Sequence, residues 1–311
     1  MSPTSNSRGR TTDASPQTVS EEVACDVVKY CRACGSPDTR FLFEIQHRRV
    51  QRCEECTHVF LDVIHSTDSI RDLYACYGNS GQSQYFAGID EQVKRNLDGY
   101  LARCKLLLQS RVEQPRLLDV GCGNGVLLSR ARACGFQITG TEISAPLAAL
   151  ANQRLGCKVH RQFLTELAFP DASFDVVTMY DLIEHLQDPR SDLEQVFRIV
   201  KPGGVFFILT PNDEAFLRRI SKMLYRLSFH SFDVPMRRLY YPDHLSYFTA
   251  ESLSQLLCRA GFELVSLESV NQELSRLELS PLQKLVVKVI LQIGGPFRSS
   301  GGKLVAYARK P

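Results

Sequence analysis

The stretch Leu117-Leu118-Asp119-Val120-Gly121-Cys122-Gly123-Asn124-Gly125 decides the fold of this chain. A short apolar strand passes through closely spaced glycines and then into a segment with helical periodicity. Glycines at such a turn permit tight backbone conformations and let the main chain approach a ligand closely. The sequence therefore predicts a cofactor site at the carboxyl end of this strand.

The spacing of the glycines distinguishes between classes of cofactor. A dinucleotide-binding loop requires its third glycine at the position where this chain has Val126. Asp119, two residues before the first glycine, would repel a pyrophosphate and attract a positively charged amino group. Glu142 ends the next predicted strand, where an acidic side chain accepts hydrogen bonds from ribose hydroxyls. NAD is therefore disfavoured.

On the carboxyl side of this loop, short apolar runs typical of buried strands alternate with segments that have helical periodicity. This pattern predicts an α/β, doubly wound fold with a mostly parallel, seven-stranded, Rossmann-like sheet. The segment at residues 212–248 is too long for a plain connection and is interpreted as a substrate lid. The predicted strands are residues 116–120, 137–141, 158–160, 174–179, 205–210, 262–269 and 303–308.

Changes in composition and in hydrophobic pattern divide the chain into four segments. We predict a disordered tail at 1–24, a cysteine-marked module at 25–68, a helical connector at 69–110 and the main domain at 111–311. The hydrophobic fraction of 44% is that of an ordinary globular protein, and a formal charge of +3 points to no polyanionic partner. The sequence has no signal peptide and no long apolar span, and its eleven cysteines suit reduced thiols, so a cytoplasmic location is expected.

Several short motifs resemble those of the class I S-adenosylmethionine-dependent methyltransferases. The resemblance covers residues 100–310, and its motifs are LDVGCGNG at 118–125, SFDVV at 173–177, EHLQDP at 184–189, KPGG at 201–204 and HLSYFT at 244–249. It implies that Gly121 and Gly123 pass close to the methionine part of the cofactor, that Asp119 holds its amino group and that Glu142 binds its ribose.

Two further cofactor contacts are predicted. Where the family often has an acidic residue near the adenine, this chain has Gln162-Phe163-Leu164, so Phe163 is the candidate adenine contact. Asp181, two residues after the end of the fourth predicted strand, is the second candidate.

The same resemblance implies methyl transfer, and two histidines are candidates for the general base. His185 is preferred because an unperturbed imidazole titrates near pH 6.5, close to working pH. The alternative is that His185 or Glu184 only pins the loop under the cofactor. His244, in the lid segment, is the second candidate.

The expected acceptor is a small organic molecule. The lid segment is rich in aromatic and basic residues, which suits an anionic or glycosylated compound, although an ordinary amphipathic helix with a solvated basic face gives the same pattern. Residues 282–293 form a second basic amphipathic segment, which keeps peripheral membrane contact and a lipid-linked or quinone-type acceptor open. The signature of nucleic-acid amino-methyltransferases is absent, so DNA is not expected as a substrate.

Cys31, Cys34, Cys53 and Cys56 form two C-x2-C pairs separated by eighteen residues. This spacing is typical of a four-thiolate zinc ribbon and predicts one structural Zn²⁺, with a redox function as the competing interpretation. A zinc module before this domain looks like the arrangement in bacterial methyltransferases acting on nucleotide-linked sugars. Those that methylate carbon continue into a further domain, whereas this sequence ends at its last predicted strand, so transfer to oxygen is expected.

A non-catalytic zinc-ribbon module that binds RNA or protein is the rival class of function. Arginines at positions 32, 40, 48, 49 and 52 give the module some basic character, but Glu44, Glu54 and Glu55 interrupt it. The intact glycine loop, together with Asp119 and Glu142, favours the enzyme.

Overall fold

The computed structural model describes residues 26–45, 47–75, 90–110, 112–240, 243–271 and 301–311. The predicted tail at 1–24 and the amphipathic segment at 282–293 lie outside these residues. The strands are β1 (Asp26–Val27), β2 (Thr39–Ile45), β3 (Arg48–Cys53), β4 (Val59–Leu61), β5 (Val63–Ile64), β6 (Arg116–Val120), β7 (Gln137–Thr141), β8 (Phe174–Tyr180), β9 (Val200–Pro211), β10 (Ser246–Tyr247), β11 (Glu263–Val270) and β12 (Lys303–Arg309). The helices are α1 (Thr67–Ala75), α2 (Glu91–Leu107), α3 (Val126–Ala133), α4 (Ala145–Leu155), α5 (Pro189–Ile199), α6 (Phe216–Leu227), α7 (Val234–Leu239) and α8 (Ala250–Arg259).

The central sheet has the strand order β11-β12-β9-β8-β6-β7. The pairs β6/β7, β6/β8 and β8/β9 are parallel, whereas β12 pairs antiparallel with both β9 and β11. This is the predicted doubly wound, mostly parallel α/β fold. One detail differs, because residues 158–160 make a single parallel bridge from His160 to Thr141 rather than a strand. The sheet therefore has six strands within the described part of the chain.

Helices cover both faces of the sheet, which explains why its inner strands are mostly apolar on both sides. Leu118 and Val177 pack on one face with Leu193 of α5 and Leu253 of α8. Leu117 and Val176, each one residue earlier in its strand, point to the other face and pack against α2, α3 and α4. All the parallel strands end at the same edge, and that edge carries the candidate site.

The cysteine-bearing module has its own antiparallel sheet, ordered β10-β4-β3-β2. Its edge strand β10 comes from the lid segment, since Ser246 pairs with Phe60 and Tyr247 with Val59. Phe60 and three of the four cysteines are buried in the same core cluster as the central sheet. The small module thus completes its core with residues of the main domain.

The connector and the lid supply the remaining helices. Asp90 caps α2 by accepting a hydrogen bond from Val93 N at 2.9 Å, and α2 packs on the sheet through Val93, Leu97 and Leu101. The lid segment contains α6, α7 and β10. Among the described residues, no helix is long and apolar enough to cross a membrane.

Candidate active site

The glycine loop connects β6 to α3 in a conformation that requires glycine. Gly121, Gly123 and Gly125 have φ angles of 70°, 52° and 77°, in the left-handed region. A Cβ atom at Gly121 would lie 2.7 Å from Leu182 Cδ1. Cys122 N donates to Thr141 O at 2.8 Å, which fixes the loop against the end of β7. The absence of a side chain at Gly121 therefore lets Leu182 pack directly against the loop where the strands end.

Asp119 and Glu142 lie at the ends of the adjacent strands β6 and β7, and both are buried. Thr178 Oγ1 donates to Asp119 Oδ1 at 2.6 Å. Burial raises the pKa of Asp119 to about 7, and the nearby Glu142 charge adds to this increase. Burial also raises the pKa of Glu142. The backbone hydrogen bonds that Glu142 accepts lower its pKa, but burial has the larger effect.

Glu142 is held by the loop that it faces. Gly123 N donates to Oε2 at 2.9 Å, and Ser144 N donates to Oε1 at 2.8 Å. A carboxylate offers about four acceptor positions, so capacity for two further donors is left. A buried acid that attracts an ammonium group, next to one that can accept from two hydroxyls, suits an amino-acid–nucleoside cofactor such as S-adenosylmethionine.

Phe163 and Asp181, the two further candidate cofactor contacts, each interact with a basic side chain of the protein. Phe163 precedes a short 3-10 turn, and the guanidinium carbon of Arg71 lies 5.0 Å from its ring centroid. Asp181 has a left-handed φ of 52°, and its carboxylate forms an ion pair with Lys303 of β12. The cofactor roles assigned to Phe163 and Asp181 stay predictions.

His185 and His244 come together just beyond β8, with ring centroids 4.7 Å apart and planes at 89°. One side-chain-to-backbone and one backbone-to-backbone hydrogen bond bring them together. His185 Nδ1 donates to Asp243 O at 2.9 Å, and Leu245 N donates to Glu184 O at 2.8 Å. Since a carbonyl oxygen can only accept, the proton of the neutral His185 ring is on Nδ1 and the lone pair is on Nε2.

Glu184 lies beside the two imidazoles in a buried position. Its Oε2 accepts from Thr210 Oγ1 at 2.9 Å, while Oε1 is buried and has no hydrogen-bond partner among the described residues. Burial raises the pKa of Glu184, and burial lowers that of His244 well below its ordinary value. Ligand atoms of Glu184, His185 and His244 lie within 4.8 Å of one another, a spacing that could also hold a cation.

The four predicted metal ligands also form a cluster. Cys31 Sγ lies 3.5 Å from Cys56 Sγ, and Cys34 Sγ lies 3.5 Å from Cys53 Sγ. A disulfide would require about 2.05 Å. Tetrahedral thiolates at the usual Zn–S distance of about 2.3 Å lie about 3.8 Å apart, so the separations suit a metal.

Sequence reasoning missed three side chains that organise this region. Thr178 lies opposite Asp119 in the adjacent strand, and Lys303 reaches Asp181 from a distant strand. Arg32, within the first cysteine pair, donates to Gln187 O at 2.5 Å, two residues beyond His185. Only Thr178 carried a sequence signal, because a polar residue inside an apolar strand needs a partner.

The raised pKa of Asp119 predicts a pH-dependent cofactor affinity. Below pH 7 the carboxyl group takes up a proton and no longer attracts the amino group of the ligand. We therefore expect the affinity for S-adenosylhomocysteine, measured by calorimetry, to fall by up to about tenfold per pH unit below 7. Asp119→Asn should remove this dependence.

Asp192 provides the matched control for that measurement. Burial raises its pKa to about 7 as well, but it lies on α5 outside the site. Asp192→Asn should keep the wild-type pH profile. A profile that stays flat for the wild-type protein would show that Asp119 does not hold the amino group.

Comparison with known proteins assigns the family. Residues 89–267, more than half of the chain, match the model of a methyltransferase domain family. A probable S-adenosylmethionine-dependent methyltransferase of Mycolicibacterium smegmatis is 31% identical over 150 residues, which cover 48% of this chain and 52% of that protein. A ubiquinone biosynthesis O-methyltransferase of Pseudomonas fluorescens is 39% identical over 103 residues, covering 31% and 44%. The chain spans about half the length of these curated relatives.

A solved structure agrees on the fold. A Thermotoga maritima protein described as an S-adenosylmethionine-dependent, possible histamine N-methyltransferase superposes with a TM-score of 0.50 at 21% identity. The match covers 78% of this chain and all of that one. The family match, the parallel sheet and the glycine loop agree, and the chain belongs to the class I S-adenosylmethionine-dependent methyltransferase family.

Proposed function

We propose that this protein transfers a methyl group from S-adenosylmethionine to an oxygen of a small organic acceptor, such as a sugar-containing compound or another secondary metabolite. The observation that carries the proposal is that the predicted cofactor-binding residues and the candidate bases lie at the same edge of the sheet. Asp119, the glycine loop and Glu142 end β6 and β7, while His185 and His244 meet just beyond β8.

Asp119, Gly121, Gly123 and Glu142 would hold the cofactor. When bound, S-adenosylmethionine supplies an electrophilic methyl group on its positively charged sulfur. Asp119 binds the amino group and Glu142 accepts from the ribose hydroxyls, which orients the methyl group towards the acceptor. A hydroxyl acceptor must lose its proton as its oxygen forms the new bond to carbon.

His185 is the residue that we assign to proton removal. Its Nδ1–H is held by Asp243 O, so Nε2 carries the lone pair that can take the proton. His185 Nε2 would take the proton of the acceptor hydroxyl, while the bound cofactor would supply the methyl group to the acceptor oxygen and keep the carbon–sulfur bond electrons on its sulfur. His244 borders this position with a ring that burial keeps uncharged.

Support for oxygen as the accepting atom comes from this base and from the name of one relative, the ubiquinone biosynthesis O-methyltransferase. A lipid-linked or quinone-type acceptor at a membrane surface is the second candidate. The observation that favours it is the group of exposed apolar residues on the second half of α6.

A structural Zn²⁺ on Cys31, Cys34, Cys53 and Cys56 is part of the proposal. The sulfur separations suit tetrahedral coordination, and Gly35 and Thr57, just after each pair, have left-handed φ angles that turn the chain around the sulfurs. The ion would hold the module together outside the methyl transfer step. A cytoplasmic location also remains a prediction.

Removing the base is the test of the mechanism. We expect His185→Ala to lower turnover roughly 10²–10⁴-fold, with little change in S-adenosylhomocysteine affinity, because the ring acts on the acceptor proton. Turnover is measured as transfer of a labelled methyl group to an acceptor found in a panel of phenols and sugars.

His244→Ala is the comparison variant. If His244 is the base, the larger loss of turnover will appear in His244→Ala. A large loss of S-adenosylhomocysteine affinity in His185→Ala would assign His185 to shaping the cofactor loop. Near-normal turnover in both variants would rule out base catalysis by either ring and leave orientation as the source of the rate.

A further inference from the structure

Helix α6 is inverted relative to an ordinary amphipathic helix. Arg218 and Ser221 are its buried residues. Arg218 and Lys222 form ion pairs with the buried Asp213, which also accepts from Tyr240 OH at 2.7 Å. The sequence-based interpretation of residues 216–227 as a helix with a solvated basic face is therefore wrong for Arg218. This side chain points inwards, because its ion-pair partner Asp213 is buried.

Three apolar residues in the second half of α6, Met223, Leu224 and Leu227, are exposed, and the turn that follows extends this apolar surface. Six large apolar residues between positions 223 and 234 are exposed, half of the twelve such residues in the described part of the chain. We call them the α6 apolar surface: Met223 (52% exposed), Leu224 (38%), Leu227 (70%), Phe229 (90%), Phe232 (47%) and Val234 (55%). Single exposed apolar residues are common, but such a concentration indicates an interaction surface.

The turn that presents Phe229 is ordered by hydrogen bonds. Phe229 N donates to Arg226 O at 3.1 Å, and His230 N donates to Tyr225 O at 2.9 Å. Phe229 and His230 both have left-handed φ angles, 50° and 70°. This conformation costs a bulky side chain about 1 kcal/mol or more, so the fold holds the exposed ring at an energetic cost.

Positive charge is concentrated around the same surface. Residues 213–239 contain six basic and three acidic side chains, and because Arg218, Lys222 and Asp213 form the inward network, the remaining four basic and two acidic side chains carry a formal charge of +2. Arg219 and Arg237 are exposed, each with one acidic partner. Arg226 is exposed and has no ion-pair partner among the described residues. The net charge attracts an anionic partner.

We propose that the α6 apolar surface binds an anionic phospholipid bilayer. Apolar side chains that enter the acyl boundary, with arginines beside them at the level of the headgroups, are what a peripheral membrane contact requires. This contact goes beyond the proposed methyl transfer and does not depend on it. Since α6 is part of the lid segment, which follows β9, the bilayer would lie against the lid itself.

Vesicle flotation of the full-length protein tests the proposal. The wild-type protein should float with vesicles of phosphatidylcholine and phosphatidylglycerol, bind pure phosphatidylcholine vesicles less, and be released by salt. Leu227→Glu combined with Phe229→Glu should lower binding about tenfold or more, because charged groups would have to enter the bilayer. Both side chains are largely exposed, so the fold should tolerate the change.

Leu106→Glu is the matched control, since Leu106 is 84% exposed on α2 and lies outside the surface. It should bind vesicles like the wild-type protein. S-adenosylhomocysteine binding is measured in every preparation, so a failure of the cofactor site is seen separately from a failure of membrane binding.

Three results would overturn the proposal. One is a wild-type protein that does not float, or a double variant that floats equally well. Another is a concentration-dependent dimer that the double variant loses, which would assign the surface to a second copy of the chain. The third is a Leu227→Cys thiol that reacts slowly without lipid, measured by peptide mass spectrometry, which would show the surface covered within the chain.

Discussion

Replacing Gly121 with arginine is expected to abolish the binding of S-adenosylhomocysteine. The left-handed φ of 70° costs a non-glycine residue about 1–2 kcal/mol, and a Cβ atom would lie 2.7 Å from Leu182 Cδ1. The rest of the arginine would enter the space in front of Asp119 and Glu142. We expect at least about a hundredfold loss of affinity, measured by calorimetric titration.

Gly99→Arg is the control, because Gly99 is exposed on α2 and a Cβ atom there meets nothing within 4 Å. A second variant tests the site without adding bulk. In Glu142→Gln, one donor of the amide would face Gly123 N or Ser144 N, which should weaken binding by about 1–3 kcal/mol. Wild-type affinity in both Gly121→Arg and Glu142→Gln would place the cofactor elsewhere.

Replacing Cys53 with serine is expected to destabilise the whole protein. Structural zinc sites contribute about 10–16 kcal/mol in small modules, as much as the entire stability of a typical domain. Cys53 is fully buried, in the core cluster that contains Leu118 and Phe248 of the main domain. We therefore expect loss of metal and a large fall in melting temperature, or insoluble protein.

Cys258→Ser is the matched control, because Cys258 is an exposed cysteine on α8. It should keep the wild-type melting temperature and about one zinc per chain, measured by elemental analysis. A wild-type protein that is purified folded but without metal would contradict the structural zinc. Methyl transfer that rises with added zinc in an already folded protein would contradict its placement outside the reaction.

The central sheet could be predicted because its inner strands are buried on both faces and are therefore mostly apolar on both sides. The glycine loop and Glu142 could be placed because both lie at strand ends that parallel pairing brings to one edge. Residues 158–160 look like a strand in isolation, but only His160 reaches β7. Short runs at a sheet edge carry too little local signal to fix their pairing.

The meeting of His185 and His244 could not be predicted from the sequence. It depends on two hydrogen bonds between a turn after β8 and the lid, one from the His185 ring to Asp243 O and one between main-chain groups of Leu245 and Glu184, and the backbone groups involved have no sequence signature. Which side of α6 faces the protein could not be predicted from the sequence for a different reason. Periodicity identifies an apolar side of a helix but not its direction, and here the buried charge of Asp213 attracts the basic side inwards.

The pairing of β10 with β4 has a consequence for the order of events during synthesis. The four cysteines all emerge from the ribosome by residue 56, so their cluster can close early over a short loop. Its sheet stays incomplete until Ser246 and Tyr247 are made, when Ser246 Oγ also reaches His58 Nε2 at 3.2 Å. The cysteine-bearing module, although it is translated before the main domain, is therefore finished only after most of that domain has been made, and the nascent chain carries an open strand edge in the interval.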